Sequence, residues 1–176
     1  MTSPKPLLAA ILGIKTDRYP IWFLRQAGRY LPEYREIRKN MSFLELCQNP
    51  KMACEVTLQP LRRFDLDAAI IFSDILILPK ALGVDLSFAK DHGPILSPPI
   101  TSAKELSKLR LEVDLSKELS FVGEALEWTK KSLASYQTLI GFAGAPHTVA
   151  CYMIEGQGSK NISQLKKLMY TDKEVY

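Results

Sequence analysis

Two arginines four positions apart, Arg25 and Arg29, are the residues of this 176-residue sequence best suited to gripping an anion. A guanidinium stays charged at any relevant pH and can hold a carboxylate through two parallel hydrogen bonds, so two of them make a fork for carboxylates. Between them lie Gln26, Ala27 and Gly28, small or polar residues that let a ligand approach the backbone. The plain alternative is that both arginines pair with Glu33 and Glu36 or are simply solvated. A second group is Asp74, set between Phe72-Ser73 and Ile75. A carboxylate there is poorly solvated, at a cost on the order of several kcal/mol unless it is partnered. It either pairs with Arg25 or Arg29, or holds its charge ready for a cation that develops during a reaction.

The elements that must position these groups follow from the pattern. Ile21 to Leu24, introduced by Pro20, is a short run rich in β-formers and predicts a buried strand that ends in Arg25. Ala68 to Phe72 is continuously apolar, as in a parallel strand covered on both faces, and it ends in Ser73-Asp74. Thr138 to Phe142 predicts a third strand, running into Gly141-Phe142-Ala143-Gly144-Ala145-Pro146, with Tyr152 and the glycine-bearing loop 155–159 beyond it.

Helices are expected over 5–14, from Pro32 to Arg38, from Ser42 to Cys47 with Ser42 and Glu45 at capping-box spacing, and from Pro50 to Arg63. Thr101 or Ser102 caps another that contains Glu105. A long amphipathic helix runs from Asp114 or Ser116 to about Ala134, turning Leu119, Val122, Leu126 and Trp128 or Thr129 inward, and a last one spans Ile162 to Tyr170. Residues 83–97 predict a hairpin around Asp91-His92-Gly93, with His92 solvated in the turn. Strands separated by helices give right-handed βα units and a parallel sheet. Because the polar residues all follow strands, the class expected is α/β, with a site on the C-terminal rim of a (β/α)-barrel.

Composition narrows the chemistry. A hydrophobic content of 47% and a charged content of 24% are those of a soluble globular protein. The apolar run Leu7 to Leu12 is too short to span a membrane and lacks the pattern of a signal peptide, so a cytoplasmic protein with no membrane partner is expected. Cys47, Cys54 and Cys151 form no CxxC, which fits free thiols in a reducing compartment; Cys47 and Cys54 fall on packed helix faces. His92 and His147 are the two histidines, and no His/Cys/carboxylate cluster has ligand spacing, so no metal is expected. Residues 1–40 hold eight Lys/Arg against three Asp/Glu, while the whole chain is only +4. The arginines sit among apolar residues rather than in a solvated basic run, so a small polyanion is favoured over nucleic acid.

The string RQAGRYLPEYR, preceded by PIWFL, closely resembles the N-terminal signature of the uroporphyrinogen decarboxylases. LQPLRRF at 58–64, FSDIL at 72–76, GFAGAP at 141–146 and YMIEGQGS at 152–159 resemble further blocks of that family in the same order, so the likeness covers the chain from about Leu7 onward. It implies the N-terminal portion of a (β/α)8 barrel, with residues 1–176 as a single-domain fragment, truncated after about half the strands. It implies removal of the four acetate carboxyls of uroporphyrinogen III to give coproporphyrinogen III, with no cofactor, by a cytoplasmic homodimer when full-length. Carried over position by position, Arg25, Gln26, Ala27, Gly28 and Arg29 look like the substrate-binding segment, Asp74 like the aspartate at the pyrrole nitrogens and Tyr152 like the tyrosine lining the cleft. Whether an arginine or the aspartate delivers the proton stays open; by pKa alone arginine is a poor acid.

Two departures stand out. His147 replaces the aromatic that the family usually carries after Gly-Ala-Pro, and it is expected to pack or to make local hydrogen bonds. A (β/α)8 barrel takes about 250 residues, so this length leaves out the later strands, together with a hydroxyl-bearing residue and a histidine that the family contributes to the cleft. A free half-barrel has unpaired sheet edges and is expected to be unstable or self-associating. The rival within the same fold is a cobamide-dependent methyltransferase, which carries zinc on His and Cys and does not usually show RQAGRYLPEYR. The rival from another class is a non-catalytic tetrapyrrole-binding protein.

Overall fold

The computed structural model describes residues 4–89 and 93–176. They form two compact units, one from the residues up to Ser73 with Ser120–Phe142, the other from Asp74–Leu119 with Ala143–Tyr176.

The first unit carries helices α1 (Pro6–Ile11), α2 (Pro32–Lys39), α3 (Phe43–Gln48) and α4 (Pro50–Arg63), strand β1 (Ala68–Ile70), and, from its second stretch, a 13-residue helix over Ser120–Ser132 and the strand Thr138–Ile140. Each N-terminus has its reason in the sequence. Pro32 and Pro50 open their helices where no N–H is needed, Asn49 accepts the Met52 N–H at 3.1 Å, and Ser42 with Glu45 forms the expected capping box. The two strands pair in parallel, Ala68 opposite Thr138 and Ile70 opposite Ile140. Leu31, Tyr34, Leu46 and Val56 form one core cluster, against which Phe72 packs edge-on to Tyr34 and Phe43. Thr57, buried on α4, donates to the Ala53 carbonyl and accepts the Phe72 N–H at 2.9 Å, which fixes the chain just past β1. Ala53 and Ile71 meet Ala125 in a second cluster. Cys47 and Cys54 are buried and form no disulfide, as their place on packed faces predicts.

The expected strand over 21–24 is absent. Its one ladder bond is from the Asp67 N–H to the Ile21 carbonyl at 2.8 Å, because the next donors are taken by side chains: the Ile21 N–H goes to the Asp67 carboxylate and the Phe23 N–H to Gln26. Nor is the run buried, since Ile21, Phe23 and Leu24 are all exposed. The pattern of β-formers is present, but one ladder bond makes no strand.

The second unit holds α5 (Ile77–Ala81), the antiparallel hairpin β2 (Asp85–Ala89) and β3 (Gly93–Ser97), α6 (Ala103–Leu106), α7 (Leu115–Glu118), α9 (Pro146–Glu155) and α10 (Ser163–Thr171); the two first-unit elements from Ser120–Ser132 and Thr138–Ile140 are then α8 and β4 in chain order. The hairpin is as expected, while Asp91 and His92 of its turn lie outside the described residues. The single long helix expected to Ala134 is broken at Leu119 into α7 and α8. Ala125 and Thr129 are its buried residues, with Trp128 exposed. Helix α9 was not expected. It starts at Pro146 and ends at Gly156 with φ +73°, a left-handed cap that glycine adopts at little cost. Leu76, Val84 and Leu96 make the core here, with Ile75 and Tyr152 packed on them, and Ile154, Leu165 and Leu168 a second cluster joining α9 to α10. The Glu155 carboxylate accepts the Gln164 and Leu165 N–H groups at 2.8 and 3.0 Å and so caps α10.

At Gly144 there is no room for a side chain: a Cβ would lie 2.6 Å from Val149 Cγ2 and 3.0 Å from Ile75 Cβ. Gly144→Ala is expected to cost about 1–2 kcal/mol through overpacking, read as a lower thermal unfolding midpoint. An unchanged midpoint would show that the loop after β4 is free to move off Ile75.

Candidate functional site

The Arg25–Arg29 segment is a tight turn pinned from within. Gln26 is only 2% exposed; its Oε1 accepts the Phe23 N–H at 3.0 Å and its Nε2 donates to the Ala68 carbonyl at 3.1 Å. The Tyr30 hydroxyl donates to the Gln26 carbonyl, and the Leu31 N–H to the Gly28 carbonyl at 3.0 Å. Ala27 and Gly28 are half-buried, and a Cβ on Gly28 would meet nothing nearer than the Tyr30 ring at 3.7 Å. Arg25 and Arg29 are the two exposed residues of the segment.

The carboxylates that could have paired with them are engaged elsewhere. Glu33 takes Arg63 bidentately at 2.7 and 2.8 Å, which holds its carboxyl down to about 2, and Glu36 takes Lys39. Asp67 takes Arg18 and Glu55 takes Arg62. Among the described residues of the first unit, no carboxylate pairs with Arg25 or Arg29. An exposed pair of this kind gains little from a surface ion pair and is free to take a ligand's carboxylates.

In the second unit Asp74 follows the end of β1 in sequence. Its Oδ1 accepts the Leu76 N–H at 2.7 Å, an Asx turn that starts the approach to α5. The side chain is half-buried; burial pushes its carboxyl above the ordinary value, and the Leu76 N–H opposes that shift. Ile75 and Leu76, which follow it, belong to the same apolar cluster as Tyr152, so the Asp74 turn and the Tyr152 helix share a support. Tyr152 also lines a cleft of about 340 Å³ with His147, Cys151, Gly158, Ser159 and Lys160. His147 is exposed and makes local contacts, 3.4 Å from the Tyr176 hydroxyl and 3.7 Å from the Cys151 sulfur, in line with local hydrogen bonding. Among the described residues no group of three or more His, Cys, Asp and Glu could hold a metal, and no helix is long and apolar enough to cross a membrane.

A parallel βα arrangement whose polar residues follow the strand ends is the design of a (β/α)-barrel, and the architecture is that of the N-terminal portion of one. A methyltransferase from Methanosarcina mazei superposes over 97% of this chain and 48% of its own with a TM-score of 0.73; at 19% identity it bears on the fold alone. The family model described as uroporphyrinogen decarboxylase (URO-D) matches residues 2–176. The uroporphyrinogen decarboxylase of Nitrosococcus oceani is 53% identical over 169 residues, 96% of this chain and 47% of that protein. That of Ovis aries is 48% identical over 163 residues, 93% and 44% of the two chains. The chain belongs to the uroporphyrinogen decarboxylase family and corresponds to its N-terminal half. It spans about half the length of the curated relatives it matches.

Proposed function

We propose that this chain carries the carboxylate-binding segment and the cation-stabilising aspartate of an enzyme that decarboxylates the four acetate arms of uroporphyrinogen III to coproporphyrinogen III. The observation that carries the reading is the exposed pair Arg25 and Arg29, without a carboxylate partner in their unit, where Arg18, Arg62 and Arg63 are each paired with one. An octacarboxylic tetrapyrrole is the ligand such a fork suits.

The chemistry needs no cofactor. A proton adds to a ring carbon of one pyrrole, leaving the positive charge shared with its nitrogen. The bond from the acetate methylene to its carboxylate then breaks, CO₂ leaves, and the electron pair neutralises the ring as an exocyclic double bond. A second proton adds to the exocyclic carbon to make the methyl group, and the ring proton is lost. Arg25 and Arg29 hold carboxylates, Asp74 as an anion stabilises the protonated ring, and Tyr152 lines the cleft. A cytoplasmic homodimer is part of the same proposal.

The test is to incubate the full-length protein carrying this sequence with uroporphyrinogen III anaerobically and to follow the carboxyl count of the oxidised products by chromatography. Stepwise loss of four carboxyls is expected, and Arg25→Ala or Arg29→Ala should raise KM about tenfold each, the scale of one lost charge-assisted pair. No CO₂ release from a folded, porphyrin-binding protein would overturn the assignment.

A further inference from the structure

We infer that Gln26 is a positioning residue that sets the separation and direction of Arg25 and Arg29 through a clamp made inside the turn. The inference rests on the reading of those arginines as carboxylate-binding groups and adds to it a residue that acts through them.

The geometry is specific. A primary amide has an acceptor end and a donor end, and here the two ends bind different parts of the backbone. Oε1 takes the N–H of Phe23, two residues before Arg25, and Nε2 reaches the carbonyl of Ala68, the first residue of β1, across 42 positions of sequence. The turn is thereby tied to the sheet by a side chain where the expected strand would have used its own backbone. A third bond, from the Tyr30 hydroxyl to the Gln26 carbonyl, closes the turn on the far side next to Arg29. The arginines therefore leave the turn on either side of one buried residue. The two arginine side chains are exposed, and neither has a carboxylate partner in the unit. Capture of two carboxylates on a rigid macrocycle depends on the spacing of the fork, and small displacements of binding groups are expensive. A hydrophobic residue of the same length would fill the site of Gln26 and break both ties.

The experiment uses the full-length protein carrying this sequence. Gln26→Met should raise KM for uroporphyrinogen III about tenfold while kcat stays within about threefold, and should speed hydrogen exchange at the Phe23 amide. Tyr30→Phe, at a half-exposed ring, removes only the outer bond and should raise KM by about threefold without loss of fold. The decisive reading is the triple variant. If Gln26 acts through the arginines, adding Gln26→Met to the Arg25→Ala/Arg29→Ala double variant leaves KM about where that variant put it, whereas an independent effect multiplies it by about a further tenfold. Multiplication, or faster exchange at Phe23 with KM unmoved in both Gln26→Met and Tyr30→Phe, overturns the inference. Arg29→Ala with an unchanged KM would instead overturn the carboxylate reading beneath it, and the inference with it; that failure is recognised from the single variant.

Discussion

Asp74→Asn in the full-length protein is expected to lower kcat for uroporphyrinogen III by about 10²–10³-fold with KM nearly unchanged, the scale of losing one preorganised electrostatic partner of the transition state. The substitution suits the question because the amide oxygen can still accept the Leu76 N–H that shapes the turn, now at 2.7 Å. Ile75 and Leu76 remain in their cluster with Tyr152. What is lost is the negative charge, and the protonated pyrrole is the species that needs it.

Stability should move the other way. Burial pushes the Asp74 carboxyl above its ordinary value of 3.8, so the folded chain holds that proton more readily than the unfolded chain. Over the pH range from 3.8 up to the raised value the unfolded state binds fewer protons, and stability falls as pH rises through it. The amide carries no such penalty. The thermal midpoint of Asp74→Asn should therefore equal that of the parent at acid pH and exceed it at neutral pH, as in sites where function is held at the expense of stability. Near-normal turnover in the variant would sink the role given to Asp74, whatever the midpoint does.

Much of the scaffold could be read from residues because its signals are local. The capping box at Ser42 and Glu45, the prolines opening α2 and α4, and the apolar run into β1 each act within a few positions. Helix α9 also had a local signal, Pro146 at one end and Gly156 at the other, but the glycine-rich string around it reads as loop. The failure over 21–24 is of another kind. β-propensity describes how well side chains fit a half-buried pleated surface, whereas here the backbone donors are claimed by Asp67 and Gln26. A bond from residue 26 to residue 68 has no periodicity to betray it. The same is true of the site: the residue types of Arg25, Arg29 and Asp74 announced charge chemistry, but that Glu33 belongs to Arg63 rather than to them is a fact of packing over 30 positions.

The largest effect on stability is expected at Asp67, whose side chain is fully buried while its partner Arg18 is half-exposed. Its two oxygens accept from Arg18 at 2.6 and 2.7 Å, and Oδ2 also accepts the Ile21 N–H at 2.7 Å. Asp67→Asn keeps the volume but turns one acceptor of a fully buried side chain into a donor facing N–H groups. A loss of about 3 kcal/mol follows, or a thermal midpoint lower by roughly 6–12 °C for a chain of this size. Burial raises the Asp67 carboxyl, but the Arg18 hydrogen bonds, the Ile21 N–H and the Arg18 charge together outweigh it and hold the group below its ordinary 3.8. The stabilisation is therefore fully present above 3.8 and is lost as pH falls through the depressed folded value. The gap between parent and variant should stay level from neutral pH to about 4 and close in stronger acid. Arg18→Met strands the same carboxylate with burial as the larger cause acting on it, so its gap should begin to close above pH 3.8, earlier than that of Asp67→Asn. A gap that does not depend on pH would mean that Asp67 stabilises the chain entering the Arg25 turn by shape rather than by charge.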